Sequence, residues 1–483
     1  MTGASNRKDT ERTSLPVRLL HRVLMLSSDV QRDEAVDTTL FLTNLFLVLV
    51  AYYIINTVRM PLILDSGSAE MKSYASAFQV LLLFAYIPLY GWLTERVSRM
   101  TQNTGIVSLF FICIKIFFFA GVAEFPNLFG LLVGVLPTDA KPSLEWLMTN
   151  INLGFVFYVW VGIFSTSVIS QFWSYANDIF DESTGERLFP VIAVGATAGA
   201  PVGSAVAALL FDNGVGLFNM LQVSAGLLLV HLSLYWLAEK RRGADDLPTN
   251  MTAAEQGQAE APDTTDTKTS NGFQLILQNR YIWWITLFFV IFNLVNTTGE
   301  YILSSFVEDA AQAAVDAGEV TSAETYIGSF YGEFFSVVNV AALLTQLFLV
   351  SRILRWFGMT GMIFALPIVA LGTNGLAAYG VGLAIFRWGM AAENSTDYSV
   401  MNTTRALLWQ PTTRGEKYAA KQTIDTFFVR FGDVLSAGLV FVSTTWIQFQ
   451  IKEFAYINLA LIGLWIGVGL LMLRSFWKRS EAR

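Results

Sequence analysis

The residues best suited to bind an ion or a polar solute are ionisable side chains that interrupt long apolar runs. Placing a charge in hydrocarbon costs roughly 2.5–3.5 kcal/mol or more, so such side chains normally face a cavity or a partner. Arg59 lies near the end of AYYIINTVRMPLIL, and Lys115 lies within ICIKIFFF. The remaining candidates are Glu300, Glu333, Arg387, Glu393, Asp397, Arg405, Asp425, Arg430 and Asp433.

Arg59 is the strongest candidate for binding an anion. A guanidinium can hold a phosphate or a carboxylate through two parallel hydrogen bonds. Two interpretations fit this residue: contact with an anionic substrate, or an arginine that reaches the interface or pairs with a structural acid. Lys115 has two similar interpretations, because an ammonium among Phe and Ile must face inward or extend along its chain to water.

The acids of the later apolar runs have a spacing that suggests coupling or pairing. Glu393 and Asp397 are four residues apart and share one helix face. They form either a cation or proton site, or ion pairs with Arg430 or Lys421, and we favour pairing. Arg430 is either a cation of a cavity or is neutralised by a neighbouring acid. Those neighbouring acids are Asp425 and Asp433.

The sequence lacks the motifs of several classes of enzyme and metal site. No nucleophile elbow, His–carboxylate arrangement, HExxH spacing or phosphate-binding G-x-x-x-x-G-K-[ST] loop occurs. Cys113 is the single cysteine, and His21 and His231 are far apart. We therefore predict no enzyme, no metal site and no cofactor, and any transport must run on gradients or exchange.

The composition predicts a membrane protein. The 483 residues are 54% hydrophobic and only 14% charged, whereas soluble domains carry roughly 25% charged residues. The net charge of −7 argues against a nucleic-acid partner. We predict an all-α polytopic protein with about twelve transmembrane helices. The predicted spans are 38–64, 70–95, 102–124, 144–179, 185–212, 215–238, 279–307, 323–351, 358–379, 381–409, 415–446 and 453–475.

The distribution of Lys and Arg predicts the orientation. One set of loops and the C-terminal tail carry most of these residues, whereas the opposite loops hold only Lys72, Lys141 and Lys452. The positive-inside rule places the basic side, and with it both termini, in the cytoplasm. The basic set is Arg96, Arg99, Arg187, Lys240, Arg241, Arg242, Arg352, Arg355, Arg414, Lys417, Arg474, Lys478, Arg479 and Arg483.

A polar segment divides the chain. Residues 243–271 are acidic, lack aromatic residues and are typical of a flexible linker. The predicted regions are a cytoplasmic segment 1–37, a six-helix half 38–238, a cytoplasmic linker 239–278, a second six-helix half 279–475 and a tail 476–483.

Short similarities between the halves predict a duplicated unit. Ile55-Asn56-Thr57 resembles Val295-Asn296-Thr297, RVSRM at 96–100 resembles RILRW at 352–356, and GERL at 185–188 resembles GEKY at 415–418. Three similarities in the same order favour an internal repeat. That is the architecture of the major facilitator fold, with its substrate site between the halves.

Gly195, Gly199 and Gly203 repeat every four residues in the fifth span. Small residues at this spacing let two helices approach closely. We predict a packing face, and a contact between the halves that moves during transport is an open alternative.

The sequence resembles the ATP/ADP translocases of plastids and intracellular bacteria. QFWSYAND at 171–178, RLFP at 187–190 and the glycine run carry the resemblance in the first half. In the second half it rests on Tyr398-Ser399, NTTRALLW at 402–409, Pro411, Lys421, Ile424-Asp425, Arg430, Gly432 and Asp433. YYIINTVRMPLIL matches the first span of the family, with Arg59 where plastid members have lysine. The resemblance covers most of both halves and is greatest for the shorter bacterial members.

The resemblance implies candidate positions and also departures. Asn296 stands where the best-known exchangers have an acid in span 7, with Glu300 one turn later. Gly162 replaces an acid of span 4, and Asp397 replaces a lysine. The resulting substrate-binding candidates are Arg59, Lys115, Asn296, Glu300, Asp397 and Arg430, and the coupling candidates are Glu393, Asp425 and Asp433.

Three functions remain as hypotheses. The first is exchange of ATP for ADP, or of another organic phosphate, by alternating access, with the adenine stacked on Tyr53, Trp160 or Phe292. The departures favour a second, a proton-coupled carrier of another anionic metabolite or a lipid-like amphiphile. The third is a membrane partner or sensor that transports nothing. We expect a monomer. The N-terminus shows no cleavable signal, so the first apolar run should remain as a span, and the absence of a transit peptide favours a bacterial inner membrane.

Overall fold

The computed structural model describes residues 31, 34–94, 99–122, 152–180, 182–242, 272–413, 416, 420, 421 and 423–481. Every regular element in these ranges is helical. The α-helices of the first part are α1 (Ala35–Ser66), α2 (Ala69–Thr94), α3 (Arg99–Val122), α4 (Leu153–Ile179), α5 (Glu182–Asp212) and α6 (Leu217–Arg242). Those of the second part are α7 (Gly272–Gln278), α8 (Arg280–Asp316), α9 (Ala323–Leu344), α10 (Val350–Tyr379), α11 (Leu383–Thr396), α12 (Asn402–Leu407), α13 (Val429–Val442) and α14 (Ile451–Glu481).

Four short π-helical turns connect or extend helices of the second part. They span Thr345–Leu349, Asp397–Met401, Ile424–Phe428 and Ser443–Ile447. The turn at Asp397–Met401 joins α11 to α12, so the two helices and the turn form one predicted span. A π-turn adds a residue to the helical turn and often occurs at a functional site, and this one contains a candidate residue.

The twelve predicted spans each correspond to a helical element. Eight described segments are long and apolar enough to cross a membrane, and one of them, Ala323–Tyr379, has 57 residues. Gly358 breaks that segment with φ 59° and ψ −152°, so it contains two predicted spans. The remaining spans are α3 and two elements of the second part that π-turns interrupt. The predicted all-α polytopic fold is confirmed.

The ends of the helices differ from the predicted region boundaries. Helix α1 begins at Ala35, α6 continues to Arg242, and α14 continues to Glu481. Helix α7 lies inside the predicted linker 239–278. Lys141 and most of the acidic linker lie outside the described residues. The division into two six-helix halves remains a prediction.

By its internal contacts the chain forms two compact units. The first unit comprises the described residues within 1–58, 89–125 and 161–258. The second unit comprises the described residues within 59–88, 126–160 and 259–483. The division cuts through α1, α2 and α4, so one end of each of these helices packs with the second unit.

In the first unit, α5 lies directly against α1. A Cβ atom added to Gly195 would lie 2.3 Å from the Leu42 carbonyl oxygen, and one added to Gly199 would lie 2.6 Å from that of Phe46. Only glycine allows backbones this close. The predicted packing face is present, but both helices belong to the same predicted half. The alternative of a moving contact between halves is therefore wrong for these glycines.

Polar pairs also join the helices of the first unit. Arg187 of α5 donates from two nitrogens to Glu34, at 2.8 and 3.1 Å. His231 of α6 is buried and hydrogen-bonded to the Asn44 side chain of α1. These contacts fix α1 between α5 and α6.

In the second unit, α8 is the central helix. Its N-cap residue, Asn279, accepts hydrogen bonds from the backbone N–H groups of Tyr281 and Ile282. The buried Phe288 and Phe292 pack on Trp465 of α14, with ring centroids 5.4 and 5.6 Å apart. Burial of such rings is a main stabilising term, and it holds α8 in place for the polar residues nearer its other end.

Candidate functional site

The most deeply buried cation among the described residues with a carboxylate partner is Lys72, in the first turn of α2. Its side chain is 7% exposed, and Nζ lies 3.1 Å from Glu300 Oε2 on α8. Nζ also donates to Ser304 Oγ at 2.7 Å and lies 3.5 Å from the Glu300 carbonyl oxygen. Burial of an ammonium is tolerated because a carboxylate and two further oxygens replace its water.

Arg59, near the end of α1, lies in the same unit. Its guanidinium carbon is 4.3 Å from the ring centroid of Tyr158, a cation–π contact. Its Nε is buried and has no hydrogen-bond partner among the described residues. A charged donor without an acceptor is costly when buried. Arg59 therefore has hydrogen-bonding capacity left for an anion.

Glu300 is the acid that connects these groups. Its Oε1 accepts a hydrogen bond from Asn394 Nδ2 of α11 at 3.0 Å, while Oε2 faces Lys72. Its two positive neighbours are Lys72, at 3.1 Å, and Arg59. The Tyr331 hydroxyl of α9 is hydrogen-bonded to Ser304 Oγ at 3.1 Å, and so connects α9 to the Lys72 contact.

Glu393 and Asn296 are buried polar groups of the same unit. The Glu393 side chain belongs to a residue only 2% exposed, and its Oε2 has no hydrogen-bond partner among the described residues. The charged groups around it are Glu300 and Asp397. The Oδ1 of Asn296 is likewise buried without a described partner. Within the described part of the chain, no ion pair joins Glu393 to Arg430 or Lys421, so the predicted pairing stays a prediction.

Asp397 occupies the π-turn after α11. Arg405 is the cation that acts on it, and neither Arg430 nor Lys421 forms an ion pair with it among the described residues. The guanidinium of Arg405 also lies 4.8 Å from the ring centroid of Phe289. The structure thus assigns Asp397 a cationic neighbour that sequence reasoning did not consider as its partner.

Arg430 and Asp433 form a separate cluster on α13. Arg430 NH1 lies 3.7 Å from Asp433 Oδ2, and the Arg430 side chain is 47% exposed. Asp433 Oδ1 accepts from Asn293 Nδ2 and Thr297 Oγ1 of α8, each at 2.7 Å. This ion pair supports the interpretation that an acid neutralises Arg430, and its role as a cation of a cavity stays a prediction. Asp425 instead has Arg405 and Lys421 as its cationic neighbours.

Lys115 belongs to the first unit and has a neutral partner. Its ammonium donates to Gln222 of α6 and lies 5.1 Å from the Phe111 ring centroid. These contacts connect α3 to α6. The hydrogen bond from the Lys115 ammonium to Gln222 supports the structural interpretation of this residue, and its role in substrate binding stays a prediction.

The three rings predicted as stacking partners of the adenine have different surroundings. Phe292 is 4% exposed and packs in the core against Trp465, so no face of its ring is open to a base. Trp160 is partly buried and lies against Phe157, and Tyr53 lies edge-on to Tyr52. Tyr158, which sequence reasoning did not consider, is the ring that contacts Arg59.

Lys72 is the main residue that sequence reasoning missed. It was assigned to the weakly charged outer loops, whereas the structure buries it in the first turn of a spanning helix. A signal was present in the sequence AEMKSYAS. Ala69, Ser73 and Ala75 around the lysine are small and buried, and small residues bring another helix close.

The group suits the binding of an anion rather than bond-breaking chemistry. Arg59 offers an unused donor, and Lys72 holds three oxygen contacts, all within one unit. No group of three or more metal-binding side chains occurs in the described residues. A phosphate group would find charge-assisted donors at this place.

Two carriers have sequences similar to this chain. The ADP,ATP carrier protein 3 of Rickettsia bellii (strain RML369-C) is 20% identical over 468 residues, covering 85% of this chain and 89% of the carrier. The ADP,ATP carrier protein 1 of Chlamydia pneumoniae is 22% identical over 391 residues, covering 71% and 73%.

A solved structure has the same fold. A bacterial homologue of the iron transporter ferroportin, in an inward-facing state, superposes with a TM-score of 0.57 at 15% identity, covering 90% of this chain and 98% of its own. The fold is therefore major facilitator-like, as predicted.

The family itself follows from the sequence match. Residues 30–476 match the family described as TLC ATP/ADP transporter. The match spans nearly the whole chain and agrees with both carriers. It confirms the predicted function class, a multi-pass membrane transporter and not an enzyme. The chain belongs to the TLC ATP/ADP transporter family.

Proposed function

We propose that this protein exchanges ATP for ADP across a bilayer by alternating access, and that Arg59 binds the phosphates. The observation that carries the proposal is the buried Nε of Arg59, which lacks a hydrogen-bond partner among the described residues. The two carriers of similar sequence are named for ADP and ATP. A family of nucleotide transporters and a guanidinium whose buried Nε lacks a described partner both support a phosphate ligand.

The environment of Arg59 strengthens such an interaction. Its guanidinium carbon lies 4.3 Å from the Tyr158 ring centroid, and this cation–π contact uses no hydrogen-bond acceptor. Coulomb attraction increases as water is excluded. The phosphate chain of a nucleotide carries several negative charges and is the part best matched to this residue.

Liposome uptake tests the proposal. Purified protein in liposomes loaded with ADP should take up labelled ATP, and empty liposomes should take up much less. Arg59→Gln should lower uptake by about tenfold or more, since hydrogen bonds to charged groups contribute roughly 1.5–3 kcal/mol. Arg387→Gln is the matched control, because Arg387 pairs with the half-exposed Glu333 at 3.1 Å.

Two results would contradict the proposal. If neither nucleotide moves under any loading condition, the substrate assignment fails. If Arg59→Gln transports as well as Arg387→Gln, nucleotide exchange survives but the phosphate ligand is a different residue.

A second candidate function, a proton-coupled anion carrier, is favoured by Glu393. Its buried Oε2 has no partner among the described residues, which suits a carboxyl that gains and loses a proton. The groups that face it are Glu300 of α8, Thr373 of α10 and Asp397 of its own span. An imposed pH gradient should then drive uptake into empty liposomes, and Glu393→Gln should abolish that dependence while leaving exchange intact. Strict exchange predicts no response to the gradient.

The cellular setting belongs to the same proposal. We place the protein in a bacterial inner membrane with both termini in the cytoplasm, and we expect a monomer that binds no nucleic acid. The basic residues concentrated on one side support this orientation. Protease protection of a C-terminal tag in right-side-out vesicles would test it.

A further inference from the structure

Lys72 and Arg59 are two cations in one unit that share a single acidic neighbour. Glu300 interacts with both of them. Tyr158 lies under Arg59 and is also an electrostatic neighbour of Lys72. Glu393 does not neutralise either cation directly, because the charged groups around it are Glu300 and Asp397. An anion bound by Arg59 would therefore lie near Lys72, whose charge is neutralised by one carboxylate, that of Glu300.

Glu300 is a replaceable partner for Lys72. It contributes one oxygen, Oε2 at 3.1 Å, whereas Ser304 Oγ at 2.7 Å makes the shorter contact. Its other oxygen is held by Asn394 at 3.0 Å, so the carboxylate retains a donor if Lys72 leaves. A phosphate group carries more negative charge than a carboxylate and accepts more hydrogen bonds.

The same ion pair connects the start of α2 to α8. Two weaker contacts accompany it. The backbone N–H of Ala69 donates to Glu308 Oε2 at 3.0 Å, and the Tyr301 hydroxyl donates to Glu70 Oε1 at 3.3 Å. Of the three contacts, only the one at Lys72 is between opposite charges and buried, so its loss weakens the connection most.

We propose that Lys72 is a second phosphate ligand: a phosphate bound at Arg59 replaces the Glu300 carboxylate on the Lys72 ammonium and thereby releases the start of α2 from α8. This deepens the proposed function and rests on it. No covalent bond changes. One oxygen acceptor replaces another on an ammonium that keeps its Ser304 contact. A ligand can shift a conformation only through a difference in affinity between states, and the exchange of acceptors supplies that difference.

Nucleotide binding to the purified full-length protein gives the first test. Lys72→Gln should weaken the Kd for ATP by at least about tenfold, as expected when one member of a buried charge pair is removed. Glu300→Gln should tighten it, because the competing carboxylate is gone. Lys452→Gln, an exposed lysine at the start of α14, is the matched control and should bind like the unmodified chain.

A labelling experiment gives the second test and does not depend on Lys72 variants folding. Ser73 is 5% exposed and adjacent to Lys72. In a Cys113→Ser background, Ser73→Cys should react with a thiol reagent several-fold faster when ATP or pyrophosphate is added, and adenosine should have no effect. Adding Glu300→Gln should raise the rate without any ligand.

The outcomes separate this inference from the proposed function. Three results together would show that Lys72 is structural. Arg59→Gln would lose ATP binding, Glu300→Gln would also weaken ATP binding, and pyrophosphate would not change the labelling rate of Ser73→Cys. The inference is then overturned and nucleotide binding stands. If the unmodified chain binds neither ATP nor pyrophosphate, the proposed function fails and this inference fails with it. Tighter binding by Glu300→Gln together with pyrophosphate-dependent labelling supports it.

Discussion

The two ends of α1 are packed by different means. Its first part, in the first unit, lies against the glycines of α5, where a Cβ would come within 2.3 Å of a backbone oxygen. Its last turns, in the second unit, carry Arg59 and lie among charged and hydroxyl groups. Close backbone packing has one good arrangement and resists change. A polar contact can exchange partners. We therefore expect the first part of α1 to be rigid, and its last turns to change their contacts when a ligand binds.

The largest effect should come from removing one member of the buried pair. Lys72→Met leaves the Glu300 carboxylate without its cation and should destabilise the protein by about 3–5 kcal/mol. The double variant Lys72→Met/Glu300→Met should recover most of that loss, because no unpaired charge remains. Chemical unfolding in mixed micelles measures both. If Lys72→Met is as stable as the unmodified chain, the Lys72–Glu300 pair contributes no more to stability than an exposed ion pair.

A smaller effect is expected at the rigid end. Gly199→Ala places a Cβ 2.6 Å from the Phe46 carbonyl oxygen, and overpacking of this kind costs typically 1–3 kcal/mol. Gly226→Ala in α6 is the control, because a Cβ there meets nothing within 4 Å. The melting temperature should fall for the first variant alone. Equal values would mean that α5 can shift away from α1 and that this contact is not rigid.

The smallest effect concerns a polar contact at the basic end of the last two predicted spans, between Glu416 at the first residues of one and Arg479 beyond the other. Burial raises the pKa of Glu416, but hydrogen bonds from Arg479 and from the Thr413 backbone outweigh it, so the pKa lies below its ordinary value of 4.5. The folded state therefore favours the charged form. The stabilisation is present above that ordinary value and is lost as pH falls through the lowered pKa. Glu416→Gln should flatten the acid limb of a stability–pH curve, and an unchanged limb would exclude this contact as its cause.

Apolar periodicity and flanking charge were sufficient to predict most of the fold. Long runs such as AYYIINTVRMPLIL have the length and hydrophobicity of spans. The boundary before residue 358 is predicted because Arg352 and Arg355 interrupt the apolar pattern. The helix ends were predicted less well. Residues 239–242 and 476–481 continue as helix because charged residues are good helix formers once outside the membrane.

The site was predicted only in part. Arg59 was found because a lone arginine in an apolar run is conspicuous, and Glu300 because it follows Asn296 by one turn. Lys72 was missed because it stands close to a predicted helix start, where the sequence alone cannot separate a loop lysine from a buried one. The partners of Glu393 depend on which helices are neighbours, and periodicity carries no such information.

Gly358 has a consequence for how the chain crosses the membrane. A continuous helix of the 57 residues Ala323–Tyr379 would be about 85 Å long, nearly three times the thickness of the hydrocarbon layer. The φ and ψ of Gly358 belong to a region that is open essentially to glycine alone. The break at Gly358 divides this length into two segments that can each cross the layer, so it marks where the predicted direction of the chain across the membrane reverses.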